Sequence, residues 1–181
     1  PPMILIENGP GGRPAAFEAP RRIIRAETAA DLASALDALD AARGAGLWAA
    51  GFLSYEAGYA LEPRLPDLMP PARRLPLLAF GLYDAPGPAA PVLASSAAEA
   101  PAARLGRATP SWTGAEHAIA IASVLGLIRA GDIYQANLTM QMRARREGSA
   151  LGLYGALRAR QPVGHGAFVA LPDCPALVSR S

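Results

Sequence analysis

The stretch Ile133–Arg145, which reads IYQANLTMQMRAR, carries the clearest structural pattern in the chain. Apolar and polar side chains alternate along it. The apolar set is Tyr134, Ala136, Leu138, Met140 and Met142, and the polar set is Gln135, Asn137, Thr139, Gln141, Arg143 and Arg145. Successive side chains of a β-strand point to opposite faces of its sheet, so the pattern predicts a long strand with one dry face. The uncharged polar row would suit a cleft wall, and structural hydrogen bonding explains it at least as well.

The helix that precedes this stretch is predicted to be buried. Thr113 followed by Glu116 is a capping-box pattern, and Gly131 suits the left-handed residue that often ends a helix. Between them the sequence AIAIASVLGLI is apolar around nearly the whole circumference of a helix. Such a helix is typical of a protein interior, so we expect it to be covered on most sides.

The remaining elements are shorter and are bounded by glycine and proline. Strands are predicted at Met3–Ile6, Arg22–Ala26, Leu47–Tyr55, Leu75–Tyr83, Gly166–Leu171 and Ala176–Arg180, and helices from Thr28 or Asp31 to about Arg43 and from about Ala150 to Arg160. Strands outnumber helices and the last two form a hairpin, which predicts an α+β fold with mainly antiparallel sheets and packed helices. Residues 86–110 are rich in proline and alanine, and we interpret them as a linker or a long excursion between portions 1–85 and 111–181.

Composition excludes several kinds of site. The 17 basic residues are all arginine, so a Schiff-base or P-loop lysine cannot come from this chain. One cysteine and two histidines exclude a disulfide framework and the usual zinc sites. A net charge of +2 with mixed signs gives no argument for nucleic acid. No apolar run has the length of a membrane span and the start has no basic region, so we expect no membrane segment and a cytoplasmic location.

Single residues leave the function open. Glu56 lies at the end of a predicted buried strand, where a carboxylate needs a hydrogen-bonding partner. An arginine or backbone donors would supply it, and the alternative is a catalytic carboxylate. No second carboxylate lies near it in sequence for acid–base work. The pairs Arg21-Arg22, Arg73-Arg74 and Arg145-Arg146 would suit an anion-binding cleft, but scattered surface pairs are the more common explanation.

Four longer stretches together resemble the chorismate-utilising enzymes. They are MILIENG from Met3, GFLSYEAGYALEPRLP from Gly51, IRAGDIYQANL from Ile128, and ARQPVGHGAFVAL from Ala159 followed by ALVSRS. The family comprises the large subunits of anthranilate synthase and aminodeoxychorismate synthase, with isochorismate synthases as relatives. Gly51–Pro66 is similar to the aminodeoxychorismate synthase large subunit, particularly to versions fused to a downstream lyase domain.

The resemblance implies that the chain is an incomplete N-terminal portion of the chorismate-utilising enzyme fold, in which 111–181 begins the chorismate-binding core. Ser181 falls where the family continues into a Ser-Pro-Glu motif, and the catalytic lysine, the histidine and the Mg²⁺ ligands of relatives lie beyond it. We therefore expect no catalytic residue and no metal ligand in this chain, and no activity from it alone. The full-length enzyme would use Mg²⁺, bind chorismate, and take ammonia from a glutamine amidotransferase subunit.

The resemblance also indicates a pocket that binds tryptophan in relatives. Glu7 and Asn8 match the end of the strand that contacts the amino acid, and Pro162 and His165 match the second wall. Asn8 replaces the serine of relatives, and His165 departs from their Asn-Pro-Ser-Pro-Tyr pattern. A buried Glu7 that is hydrogen-bonded to backbone is the rival interpretation. The other signature residues, expected to be structural, are Gly131, Asp132, Tyr134, Gln135, Asn137, Tyr55 and Glu56.

We expect a parent enzyme that aminates chorismate to 4-amino-4-deoxychorismate for para-aminobenzoate and folate biosynthesis. Three alternatives stay open: an anthranilate synthase of tryptophan biosynthesis, a non-catalytic amino-acid-binding or interaction module, and an unrelated α+β fold that shares the motifs by chance.

Overall fold

The computed structural model describes residues 2–181, in which the chain forms twelve β-strands and five α-helices. The strands are β1 (Met3–Ile6), β2 (Ala15–Glu18), β3 (Arg22–Ala26), β4 (Trp48–Leu53), β5 (Leu78–Tyr83), β6 (Gly87–Pro88), β7 (Arg104–Leu105), β8 (Thr109–Pro110), β9 (Met142–Arg143), β10 (Arg146–Glu147), β11 (Gly166–Ala170) and β12 (Leu177–Arg180). The helices are α1 (Ala29–Gly44), α2 (Ala57–Leu61), α3 (Ala90–Glu99), α4 (Gly114–Ala130) and α5 (Ala150–Arg160).

The strands of the described chain pair antiparallel throughout. A five-stranded sheet has the order β12-β11-β1-β2-β6, a three-stranded sheet has the order β3-β5-β4, and two ribbons pair β7 with β10 and β8 with β9. The predicted α+β fold with mainly antiparallel sheets is therefore confirmed. The hairpin of β11 and β12 forms around Pro172–Pro175, where the sequence predicts it.

Contacts group the chain into two compact units. One runs to Pro101 and resumes at Ser149–Ser181, and the other is Ala102–Gly148. The first unit holds the two larger sheets with α1, α2, α3 and α5, whereas the second holds the two ribbons and α4. The division into 1–85, 86–110 and 111–181 that composition suggests stays a prediction.

Both larger sheets bury residues on their two faces, which gives the first unit four layers. Neighbouring residues of one strand enter different clusters because side chains alternate. On β1, Ile4 faces the cluster between the two sheets and Leu5 faces α3 and α5. On β5, Ala79 joins the cluster between the sheets and Leu78 packs with α1. The order of layers is therefore α1, the three-stranded sheet, the five-stranded sheet, and the pair α3 and α5.

The helix ends are formed by the residues that the sequence indicates. Thr28 caps α1 and exchanges hydrogen bonds with Asp31, and Thr113 and Glu116 do the same at α4. Gly131 ends α4 with φ of 81°, and its N–H and that of the next residue return to carbonyls of the last turn. This arrangement is the Schellman motif, in which glycine takes the left-handed conformation at little cost.

The predicted burial of α4 is wrong. None of its residues is buried, and the side chain of Ile119 is 71% exposed. Strands of two residues each in the ribbons of its unit offer too little apolar surface to cover a helix of this length. Although α4 is apolar, no helix in the described part of the chain combines the length and hydropathy that a bilayer span requires.

The predicted strand Ile133–Arg145 is also wrong over most of its length. Only β9 at Met142–Arg143 forms within it, and Ile133–Gln141 has no regular secondary structure. A strand exists only when a neighbour accepts and donates its backbone hydrogen bonds, and in residues 2–181 no segment pairs with Ile133–Met140.

The segment 86–110, interpreted from its composition as a linker or a long excursion, contains ordered elements. β6 pairs with β2, and α3 packs against α5 in the first unit. The small residues of the segment permit close packing of α3 on α5. Gly155 of α5 lies directly against the carbonyl of the buried Ser96 of α3. A Cβ atom at Gly155 would overlap that carbonyl.

Gly155→Ala tests this contact. We expect it to lower the free energy of unfolding by about 1–3 kcal/mol, because two packed helix backbones must separate. Gly44→Ala is the matched control, since a Cβ at Gly44 meets no atom within 4 Å. Urea unfolding followed by circular dichroism measures both variants, and equal stability of the two would contradict close packing of α3 on α5.

Candidate functional site

The register of β1 and β11 brings two predicted site residues together. Asn8 follows β1 and His165 precedes β11, and the N–H of Glu7 donates to the carbonyl of Gly166 at 2.8 Å. As a result Nδ2 of Asn8 lies 3.2 Å from Nδ1 of His165. The amide donates this hydrogen bond when the imidazole carries its proton on Nε2.

A cavity of about 110 Å³ adjoins this pair. It is lined by Ile6, Asn8, His165, Gly166, Ala167 and Ser179. Ile6 lies opposite Ala167 and Ala167 lies opposite Ser179, so these three share one face of the five-stranded sheet. Pro162, predicted for the second wall, is exposed and does not line the cavity. The volume is below the roughly 300–1,000 Å³ typical of small-molecule sites, so an amino acid would enter only if the walls move.

Glu7 faces the opposite side of the sheet, because consecutive residues of a strand alternate in direction. Its Oε1 atom accepts hydrogen bonds from the hydroxyl of Tyr154 and from Arg180, and from Nε of Arg158 at 3.1 Å. The side chain is only 12% exposed. The rival interpretation, in which backbone groups bind the Glu7 carboxylate, is wrong because the partners are three side chains. We call Glu7, Tyr154, Arg158 and Arg180 the Glu7 cluster.

Arg180 is the most enclosed member, with 5% of its side chain exposed. Its Nη2 atom donates to the carbonyl of Gln161 at 2.8 Å, and its guanidinium lies 5.6 Å from the ring centre of Tyr154. Gly166 is opposite Arg180 in the sheet, and a Cβ atom there would collide with both Arg180 and the carboxylate of Glu7. Glycine at 166 therefore makes room for the ion pair.

The cluster shifts the ionisation of its members. Burial by itself raises the pKa of Glu7, but the Tyr154 hydroxyl and the charges of Arg180 and Arg158 outweigh it, so the pKa lies below the usual value of 4.5. Burial, together with the hydrogen bond to the Glu7 carboxylate, raises the pKa of Tyr154. Glu7 is therefore ionised at neutral pH and its charge is balanced by arginine, which leaves it unsuited to act as a general base.

Tyr55 and Glu56 lie between β4 and α2. The ring of Tyr55 is 85% exposed and packs edge-on against Tyr59 with centroids 5.9 Å apart. Glu56 is the residue before α2, and its carboxylate forms no hydrogen bond or ion pair with another described residue. The partner that the sequence leads us to expect for Glu56 is thus not among residues 2–181.

The remaining signature residues belong to the second unit. Gly131 and Asp132 end α4, as described above. Tyr134, Gln135 and Asn137 lie in the segment without regular structure, and all three are exposed. A structural role for these residues, and ligand binding by Glu7, Asn8, Pro162 and His165, stay predictions.

The sequence does not draw attention to the partners of Glu7. Tyr154 and Arg158 are four residues apart on α5, so they share one face of that helix. Arg180 lies at the end of β12, and nothing in the sequence of this strand marks the arginine as a partner of Glu7. The sequence offers two separate signals. Tyr154 and Arg158 form a polar pair at helical spacing, and Glu7 is a glutamate at the end of an apolar strand.

A protein metal site needs several ligand side chains that converge on one point. Within residues 2–181, no group of three or more histidine, cysteine, aspartate or glutamate side chains is placed to hold an ion. The described residues therefore contain no ready-made magnesium site, and Mg²⁺ binding by the full-length enzyme stays a prediction.

Comparison with known proteins gives one match. The model of a family described as chorismate binding enzyme matches residues 2–181. No curated protein and no solved structure matches the chain.

Glu7→Gln tests the Glu7 cluster. We expect a loss of about 1–3 kcal/mol at pH 7, because the variant keeps the shape but leaves two arginines without a buried counter-charge. The folded-state pKa of Glu7 is lowered, so its stabilising contribution is present above pH 4.5 and is lost as the pH falls through the folded value. The difference between the native protein and the variant should therefore narrow in acid.

Urea unfolding at a series of pH values measures this difference. Glu18→Gln is the control, since Glu18 is exposed at the end of β2 and its side chain forms no hydrogen bond or ion pair with another described residue. An unchanged stability of Glu7→Gln at pH 7 would show that the cluster does not stabilise the fold.

Proposed function

The chain belongs to the chorismate binding enzyme family, and from this premise we propose that it is the N-terminal part of an aminodeoxychorismate synthase large subunit. The full-length enzyme would aminate chorismate to 4-amino-4-deoxychorismate in the cytoplasm, for para-aminobenzoate and folate biosynthesis. The match over residues 2–181 carries the proposal at the level of the family. The choice of branch rests on the similarity of Gly51–Pro66 to aminodeoxychorismate synthases.

We place the chemistry outside this chain because the resemblance implies a catalytic lysine, which this chain lacks. The chain has no lysine, and its best-placed carboxylate, Glu7, is neutralised by arginine. The Mg²⁺ proposed for the full-length enzyme would be held by residues beyond these 181. What the chain contributes is a scaffold of two packed sheets and the cavity beside Asn8 and His165.

The proposed partner is a glutamine amidotransferase subunit that supplies ammonia. This follows from the branch, because amination of chorismate consumes ammonia or the amide nitrogen of glutamine. The exposed Tyr55, which packs against the half-buried Tyr59, is a suitable contact, since tyrosine is enriched at protein interfaces.

A second proposed function is regulatory binding of an amino acid, with tryptophan as the first candidate. The observation in its favour is that Asn8 and His165 meet at a cavity, where the resemblance places the tryptophan pocket. Because Glu7 is turned to the other face, its carboxylate would not recognise the amino group.

The first test is turnover of chorismate. We expect the 181-residue chain to give no product with chorismate, ammonia and Mg²⁺, and the full-length enzyme to give 4-amino-4-deoxychorismate when assayed with its amidotransferase. Liquid chromatography separates this product from anthranilate. Anthranilate from the full-length enzyme would assign it to the tryptophan branch, and turnover by the chain alone would refute the location of the active site.

Isothermal calorimetry on the full-length enzyme tests tryptophan binding. We expect a measurable heat that His165→Ala reduces by about tenfold or more in affinity, because the cavity loses a wall and the partner of Asn8. Glu18→Gln serves as the control and should bind like the native enzyme. No heat with tryptophan would remove this second proposal and leave the first intact.

A further inference from the structure

A groove of about 540 Å³ lies at the C-terminal end of α1, where the chain turns into β4. Its lining comes from the last turns of the helix and from the turn that follows, and includes Leu39, Asp40, Arg43, Gly46, Leu47 and Trp48. The volume falls within the roughly 300–1,000 Å³ that is typical of small-molecule sites. The groove shares no lining residue with the cavity beside Asn8 and His165.

The turn after α1 gives the groove its shape. The N–H of Gly46 donates to the carbonyl of Arg43 at 3.0 Å, and the N–H of Leu47 donates to the carbonyl of Ala42 at 3.0 Å. Gly46 has φ of 80°, a left-handed conformation that glycine adopts without a steric penalty. The chain therefore reverses at once and sets Trp48 beside the last turns of α1. Because the lining residues lie between positions 39 and 49, the groove is a local property of this turn.

One wall of the groove is apolar. Leu39 and Leu47 are partly buried against the core cluster that α1 forms with the three-stranded sheet. Trp48 is the first residue of β4 and is 41% exposed. An indole offers a large flat surface on which aromatic or aliphatic groups pack well. This wall therefore suits the apolar part of a ligand.

Asp40 and Arg43 bring opposite charges to the same groove. The Oδ1 atom of Asp40 lies 3.3 Å from Nη2 of Arg43, and the two side chains are 75% and 82% exposed. Water screens an exposed ion pair of this kind, so it stabilises the protein little and can be exchanged for contacts with a ligand at small cost. The carboxylate has further lone pairs to accept hydrogen bonds, and the guanidinium has further N–H groups to donate them.

We propose that this groove binds a free amino acid with an apolar side chain. The ammonium group of the ligand lies on Asp40, its carboxylate is held by the guanidinium of Arg43, and its side chain packs against Trp48. A ligand with a single charge fits less well, because a cation would lie near Arg43 and an anion would lie near Asp40. The inference does not depend on the reaction proposed for the full-length enzyme.

Isothermal calorimetry on the full-length enzyme tests the proposal with phenylalanine as the probe. The comparison ligands are phenethylamine, which lacks the carboxylate, and 3-phenylpropionate, which lacks the ammonium group. We expect phenylalanine to bind more tightly than either by about tenfold or more, because each analogue loses one charge-assisted hydrogen bond. Glycine has both charges without a side chain and should also bind about tenfold or more weakly, since it leaves the apolar wall uncovered.

Two variants assign each charge of the ligand to its partner. Asp40→Asn should weaken phenylalanine by about tenfold and should not weaken 3-phenylpropionate. Arg43→Gln should weaken phenylalanine equally and should not weaken phenethylamine. Asp37→Asn and Arg64→Gln are the matched controls, because they remove the same charges at exposed residues outside the groove. All four variants change exposed side chains, so thermal unfolding should show them to be folded.

His165→Ala separates this groove from the cavity beside Asn8. Phenylalanine should bind this variant as it binds the native enzyme. Heat that is lost in His165→Ala and kept in Asp40→Asn would place the amino acid in the other cavity and overturn the proposal. Absence of heat with phenylalanine, or equal binding of either single-charge analogue, would also overturn it, and neither result bears on tryptophan binding or on the turnover of chorismate.

Discussion

The cluster of apolar side chains between the two larger sheets is the contact on which the first unit depends. Phe17 and Tyr83 meet there from opposite sheets, with ring centroids 5.2 Å apart. Each sheet also carries a helical layer on its other face, so a strand such as β1 or β5 must be apolar on both sides. Burial in this layer raises the pKa of Tyr83 to about 12.

Local signals in the sequence predict the elements that local interactions form. Thr28 and Thr113 cap their helices and Gly131 ends one, because a cap needs only residues within one turn. Six strands of the first unit appear where short apolar runs predict them, whereas β2 and β6 are not predicted. The failures concern partners far away in sequence: Ile133–Gln141 lacks a neighbouring strand, and α4 lacks a cover among the described residues.

The candidate site shows the same limit. The resemblance selects Glu7, Asn8 and His165, and the structure does join Asn8 to His165. It also turns Glu7 away, toward three residues between 147 and 173 positions further along the chain. Alternation along β1 alone predicts that neighbours Glu7 and Asn8 diverge, but the identity of the partners depends on the packing of α5 and β12. The family is thus shown, and its reaction is a proposal.

The pairing of β1 with β11 has a consequence for the order of events during synthesis. β1 is the middle strand of its sheet, and its register with β11 joins Met3 to Ala170. A ribosome must therefore release almost all of these residues before the middle strand gains its second neighbour. The contacts of β1 and β2 with α5 and β11 are missing until then, and slow closure of such distant pairs is typical of high contact order. Molecular chaperones that shield strands on nascent chains would have the longest opportunity to act on this first hairpin.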